Sequence, residues 1–246
     1  MRAFITVVII IINTLVIGSI VALAGIFDRG GRVYDIGSRL WAWAIRICAG
    51  IKVKIKGLEH LDKNKSYIFM SNHQSHLDAV AWATSLPFRI RFFAKKELTY
   101  VPIFGQAIYM SRHIIIDRKN IESAKKSIEK AKELIRKYKL SVLVFPEGTR
   151  SMTGKMGEFK KGGFVLALET GIPIVPIAVR GSFELLPPHS LKIKPGLIHL
   201  NVGEPISMSG YTLDIKDVLI EKVRNALILI LFLPCRAPLS PSVPYP

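Results

Sequence analysis

Two of the six histidines and one carboxylate crowd into eight residues, Ser71-Asn72-His73-Gln74-Ser75-His76-Leu77-Asp78. A carboxylate on one imidazole nitrogen fixes the tautomer and raises the basicity of the other, as in the His–Asp half of a hydrolase triad. His73 and Asp78 lie five apart. On a continuous helix that is about 500° of rotation, and the two side chains would diverge. They meet only if the chain turns between them. The sequence permits it: an apolar strand to Met70, a polar turn over 71–76, and a helix from about 77 with Asp78 in its first turn. The plain alternative is a turn in which Ser75 or Asn72 caps that helix and the polar groups are solvated. His76 is a rival base, but it has no carboxylate at matching spacing and reads as a turn residue. There is no Gly-x-Ser-x-Gly elbow, and Ser71 and Ser75 do not sit in one. A base without a protein nucleophile points to activation of a substrate hydroxyl, hence transfer to an alcohol.

Two other strand ends carry anion-binding chemistry. Phe145-Pro-Glu-Gly-Thr-Arg-Ser151 places Glu147, Gly148, Thr149 and Arg150 after an apolar run. Glycine exposes backbone, threonine and amides donate, and arginine offers a fork for phosphate or carboxylate. Ile114-Ile-Ile-Asp-Arg118 puts Arg118 after another strand. Each alone is an ordinary turn. In α/β sheets, however, sites collect at the carboxyl ends of strands.

The elements that would position these residues alternate. Ile51, Val53 and Ile55 interleave with Lys52, Lys54 and Lys56, a half-buried strand. Strands are predicted at 66–70, 89–94, 113–117, 141–145, 172–179 and 197–203. Helices are predicted after Asp78, over 120–138 with Asn120 as N-cap, and from Gly163 to a stop at Gly171. This alternation predicts an α/β layer architecture, a mixed sheet flanked by helices. The organisation expected is a membrane-associated two-helix segment over 1–50, an α/β domain over 51–233 and a proline-rich tail over 234–246.

Residues 3–27 carry no charge, which is enough to cross a bilayer. A retained membrane segment competes with a signal peptide cleaved after Ala22-Leu-Ala24 and with a buried core helix. In the next stretch Arg32, Asp35, Arg39 and Arg46 share one helical stripe, while Trp41, Trp43, Ile45 and Ile47 add apolar bulk. That pattern predicts a helix lying in the headgroup region, with Gly30-Gly31 as the turn before it. Arginines after the first segment place the following domain on the cytoplasmic side of a cell membrane, the inner or plasma membrane. The 246 residues carry a net charge of +17, which attracts polyanions. Cys48 and Cys235 form neither a disulfide framework nor a metal pattern, and no metal is expected. A nucleic-acid binder has no need of the membrane hairpin, and none of its usual motifs is present.

Asn72-His-Gln-Ser-His-Leu-Asp78 resembles the His-x4-Asp signature of the glycerolipid acyltransferase family. The stretches at 92–118, 145–151, 159–167 and 172–179 resemble that family's later blocks in its order and approximate spacing, over about residues 55–205. The resemblance implies transfer of a fatty acyl chain from acyl carrier protein or coenzyme A to the free 2-hydroxyl of lysophosphatidic acid. His73 would be the general base and Asp78 its orienter. Arg118, Glu147, Gly148, Thr149 and Arg150 fall in acceptor-binding blocks, with Glu147 positioning its neighbours because an anion does not bind phosphate. Lys95, Lys96 and Lys160 would be further anion contacts. The thioester is a co-substrate, and no cofactor is implied. Another lyso-lipid or glycerol 3-phosphate as acceptor, or a non-catalytic basic membrane-binding protein, are the rival readings.

Overall fold

The computed structural model describes residues 2–28, 31–117 and 121–232. Its strands are Ile51–Lys56 (β1), Ile68–Ser71 (β2), Ile90–Lys95 (β3), Ile114–Ile116 (β4), Ser141–Val144 (β5), Ile174–Arg180 (β6) and Gly196–Val202 (β7). They form one sheet in the order β1-β7-β6-β2-β5-β3-β4. From β6 to β4 all pairings are parallel; β7 turns antiparallel to β6 and pairs parallel with β1. The predicted mixed sheet is therefore observed. The central strands β2 and β5 are buried at every position, as strands covered on both faces require, and β1 alternates.

Two apolar layers cover the sheet. Helices Arg32–Ala49 (α2) and Leu77–Ser85 (α3) pack on one face, where Trp82, Phe69, Val175, Ile177, Ile198 and Leu200 meet. Helices Ile121–Tyr138 (α5), Gly162–Thr170 (α6) and Lys216–Phe232 (α8) cover the other, with Ile128, Ile135, Phe164, Leu219 and Val223 in contact with Ile68, Met70, Val142 and Val144. Burying each such side chain stabilises the fold by about 1.5–3 kcal/mol. Phe104–Met110 (α4) links β3 to β4, and Ser182–Leu185 (α7) follows β6. The predicted helix over 120–138 begins at Ile121; its expected cap Asn120, like Gly30 and the tail from 234, lies outside the described residues. Gly171 ends α6 in the left-handed conformation that a helix stop favours. Helix α8 was not expected from the sequence.

Helix Arg2–Ala24 (α1) contains Ile5–Ala24, a stretch of mean hydropathy 2.8 that is long and apolar enough to cross a membrane. The core-helix expectation fails, because Ile5, Ile11, Ile12, Leu15, Val16, Ile20 and Leu23 are exposed. One side of α1 is nonetheless docked. Asn13 Nδ2 donates to the Trp41 carbonyl at 3.0 Å, and Trp41 Nε1 donates to Thr14 Oγ1 at 2.9 Å.

Helix α2 adds a contact that its periodicity does not reveal. Asp35 and Arg39 of its polar stripe reach the α/β domain. The two Asp35 oxygens accept from Arg89 Nε and Arg91 Nη1 on β3's side, each at 2.6 Å. Arg39 Nη2 donates to the carbonyls of Leu86 and Phe88 at 3.1 and 3.0 Å. The cause is Arg91, which is 1% exposed on a strand and requires a carboxylate. The outward stripe of α2 is apolar instead: Ile36, Leu40, Trp43 and Ile47, at helical spacing, are all exposed.

Candidate active site

The carboxyl end of β2 is fastened before it turns. Asn72 is buried, and its amide pairs with the peptide of Val179, donating at 2.9 Å and accepting at 2.8 Å. The side chain thus extends the β2–β6 pairing one step past Ser71. Ser71 Oγ donates to the Asn72 carbonyl and accepts from Trp82 Nε1, each at 3.0 Å. Ser75 Oγ donates to the Leu186 carbonyl at 2.8 Å and accepts from the Leu77 amide at 3.2 Å. Both hydroxyls are occupied in holding the turn, and neither is placed as a nucleophile.

Within the turn, His73 Nδ1 lies 2.9 Å from Asp78 Oδ2. Asp78 stands in the first turn of α3, and its side chain is fully buried. The same oxygen accepts from the backbone amides of Gln74 and Ser75 at 2.6 and 2.8 Å. Three N–H groups therefore converge on one carboxylate oxygen and hold the imidazole in one orientation. The other face of the ring rests on Phe145 in a stack of 3.9 Å and 16°. No protein group among the described residues hydrogen-bonds Nε2, and the side chain is 18% exposed. The ring is thus fixed at Nδ1 and open at Nε2. His76 is exposed where α3 begins. Its pKa is lowered, first by the hydration its surroundings remove and then by the charges of Arg150 and His73.

The carboxyl end of β5 supplies the opposite wall. Glu147 is buried and spends both oxygens on backbone: Oε1 accepts from the His73 amide and Oε2 from the Gly157 amide, each at 2.8 Å. Burial raises its pKa, and those two amides oppose the rise without cancelling it. Gly157 approaches so closely that a Cβ there would sit 3.3 Å from Glu147 Oε2. Gly148 turns with φ +78°, a conformation open to glycine. The loop then crosses the catalytic turn, where the Ser151 amide donates to the His73 carbonyl at 2.8 Å. Thr149 is exposed and Arg150 half-buried.

The other candidates divide. Lys95 pairs with Glu97 at 3.2 Å and Lys96 with Asp117 at 2.9 Å, so each already has an anion. Lys160 is exposed, makes no ion pair among the described residues, and its amide donates to the Pro146 carbonyl at 2.7 Å. Arg118 lies outside the described residues. Two contributors were missed. Gln74 Nε2 donates to the Gly154 carbonyl at 2.7 Å, and Arg224 Nη1 of α8 donates to the Gly157 carbonyl at 2.6 Å. Both tie the 151–161 loop down. Gln74 sits inside the signature and was legible as a polar turn residue; nothing in the sequence pointed to Arg224.

Residues 52–180 match the Acyltransferase family. The chain belongs to that family. It is similar to human 1-acyl-sn-glycerol-3-phosphate acyltransferase alpha, 32% identical over 78% of this chain and 68% of that protein. It is 36% identical to 1-acyl-sn-glycerol-3-phosphate acyltransferase of Saccharomyces cerevisiae over 78% of this chain and 64% of the yeast protein. The chain thus spans about two thirds of the length of these curated relatives. Its fold matches the crystal structure of the 1-acyl-sn-glycerophosphate (LPA) acyltransferase PlsC from Thermotoga maritima, with TM-score 0.76 and 23% identity over 97% of this chain and 100% of the other.

Proposed function

We propose that this member of the family transfers a fatty acyl group from an acyl thioester, of acyl carrier protein or coenzyme A, to the 2-hydroxyl of lysophosphatidic acid, giving phosphatidic acid for phospholipid synthesis. The observation that carries the reading is the imidazole of His73, held at Nδ1 by Asp78 and open at Nε2, beside two serines whose hydroxyls are engaged. The names of the relatives supply the acceptor.

In this mechanism Nε2 of His73 takes the proton of the acceptor's 2-hydroxyl as its oxygen attacks the thioester carbonyl. A C–O bond forms, the C–S bond breaks, and the imidazolium returns its proton to the departing thiolate. Asp78 stabilises the transient imidazolium. Glu147 positions the base by its grip on the His73 amide, and Arg150, Thr149, Gly148 and Lys160 form the wall that takes the acceptor's phosphate; Arg118, from the same acceptor-binding blocks of the sequence, is assigned to that phosphate as well. No resident cofactor is required.

The acceptor's own acyl chain stays in a bilayer. Helix α1 and the apolar stripe of α2 would hold the domain there, on the cytoplasmic face of the cell membrane, where thioester donors occur.

The test is acyl transfer by the full chain in neutral detergent, with lysophosphatidic acid and labelled acyl donors. His73→Ala should lower the rate by roughly 10²–10⁴-fold while the protein stays folded. Near-normal transfer by His73→Ala, with loss in His76→Ala, would move the base to His76. No phosphatidic acid from either donor, but product from glycerol 3-phosphate or another lyso-lipid, would replace the acceptor.

A further inference from the structure

The sheet carries a charged face that the reaction above does not use. In β1, Ile51, Val53 and Ile55 point into the α2–α3 layer, so Lys52, Lys54 and Lys56 share the opposite face. Lys54 is in register with His199 of β7, and His199 with Arg180 of β6. Directly paired residues lie on one face, so Lys54, His199 and Arg180 form a row across three strands. At strand spacings of about 4.8 Å and a rise of about 3.3 Å per residue, the cations cover roughly 10 by 13 Å. Lys52, Lys54 and Arg180 are exposed, and none of the four lysines and arginines makes an ion pair among the described residues. The charges act on one another: His199, with its Nδ1 unpartnered, has its pKa lowered by burial and then by Arg180, Lys54 and Lys56.

Edge strands often carry lysine to prevent pairing with other chains. That accounts for β1. It does not account for Arg180, two strands inside the edge, or for keeping every charge on one face.

We infer that the outer face of β1, β7 and β6 docks an acidic protein, and that this protein is the carrier bearing the acyl donor. The inference rests on the acyl-transfer reading above. The bilayer is the poorer occupant on geometric grounds. Helix α2, with its exposed apolar stripe, packs against the sheet face occupied by Ile51, Ile198 and Leu200. The cations project from the opposite face, beside the part of it that α8 covers, and Lys52, Lys54 and Arg180 are exposed there. Coenzyme A is the poorer occupant because an open row of cations on a flat sheet offers a small anion no enclosure, whereas it matches an extended acidic surface. Arg180 ends β6, next to β2, whose end carries the catalytic turn. A docked carrier would therefore stand beside the site.

The experiment uses the full chain in neutral detergent with Lys52→Glu/Lys54→Glu/Lys56→Glu, and the corresponding Gln variant to limit any loss of folding. With acyl carrier protein thioester as donor, kcat/KM should fall at least about tenfold in the Glu variant and less in the Gln variant. With the matching coenzyme A thioester it should change less than about twofold. The carrier-dependent rate of the unaltered protein should also fall steeply with added salt. Equal losses with both donors, or none with either, would overturn the proposal. So would weakened binding to anionic vesicles with unchanged carrier kinetics, which would assign the face to the bilayer. Binding of labelled carrier protein to the two forms, followed by fluorescence anisotropy, is independent of turnover. If neither donor supports transfer, the functional reading fails while anisotropy still decides the docking face.

Discussion

Two histidines sit in aromatic surroundings within one molecule and are put to opposite uses. His73 ends a strand, has a buried carboxylate on Nδ1, and keeps Nε2 open beside Phe145. His113 follows α4, and its Nδ1 accepts the Phe92 amide at 2.9 Å. Some of the surface of His113 stays accessible, but its ring is packed between Tyr34 and Phe92 with Arg91 nearby. Burial, then the Arg91 charge, pushes its pKa down to about 3. The first ring can take a proton because an anion faces it. The second resists protonation because it is buried, and the charge of Arg91 adds to the cost. The residue type carries no function by itself; burial and the charges around the ring decide it.

The sharpest way to break this contrast is to remove the anion and keep the shape. In Asp78→Asn the amide oxygen can occupy the position of Oδ2, so the amides of Gln74 and Ser75 and His73 Nδ1–H keep their acceptor. Oδ1 has no hydrogen-bond partner, so an NH2 group there displaces none. Only the charge that stabilises the imidazolium is lost. Acyl transfer should fall by roughly 10²–10⁴-fold with the melting temperature little changed. A near-normal rate would reduce Asp78 to a buttress of the turn.

Much of the His73 side was legible in the sequence, because it is local. The strand, turn and helix are read from ten residues, and the five-residue spacing then allows one geometry in which the pair meets. The His113 side was not, because its partners come from α2 and β3. Periodicity showed that Arg32, Asp35, Arg39 and Arg46 share a stripe. It could not show that Asp35 of that stripe meets Arg89 and Arg91. Arg91 inside an apolar strand was the available clue. Helix α8 escaped for a different reason. Its second half, Ala226–Phe232, is apolar on every side, so no amphipathic face marks it, although Leu219, Val223, Leu227 and Ile230 pack on the sheet. Glu147 was read with the acceptor wall, and its grip on two backbone amides depends on Gly157, ten residues on.

The second way to sharpen the contrast is by pH. The folded pKa of His113, about 3, lies below the ordinary 6.5. The unfolded chain therefore binds a proton between these values and the native fold does not. The stabilisation is fully present above about pH 6.5 and is lost as the pH falls towards 3, at about 1.4 kcal/mol per pH unit and roughly 5 kcal/mol in all. His113→Gln retains an acceptor for the Phe92 amide and does not titrate. Urea midpoints of the full chain in neutral detergent should converge for the two proteins as the pH drops from 7 to 4. Parallel curves would mean that His113 is charged in the fold, and the contrast with His73 would collapse.

The smallest expected effect concerns how the open side of His73 is framed. Gln74 reaches from the catalytic turn to the Gly154 carbonyl, and Ser151 returns the contact through its amide to the His73 carbonyl. The loop that carries Arg150 is thus fastened to the base at two points, while Glu147 and Arg224 hold it at Gly157. Gln74→Ala removes one of these bonds, worth about 0.5–1.5 kcal/mol. The base keeps its carboxylate, so kcat should change little. The loop loses register, so the apparent KM for lysophosphatidic acid should rise about two- to tenfold, with the donor KM unchanged. A fall in kcat alone would place Gln74 in the support of the imidazole, and a rise confined to the donor KM would assign the loop to the thioester. Either result would redraw which wall of the site faces the acceptor.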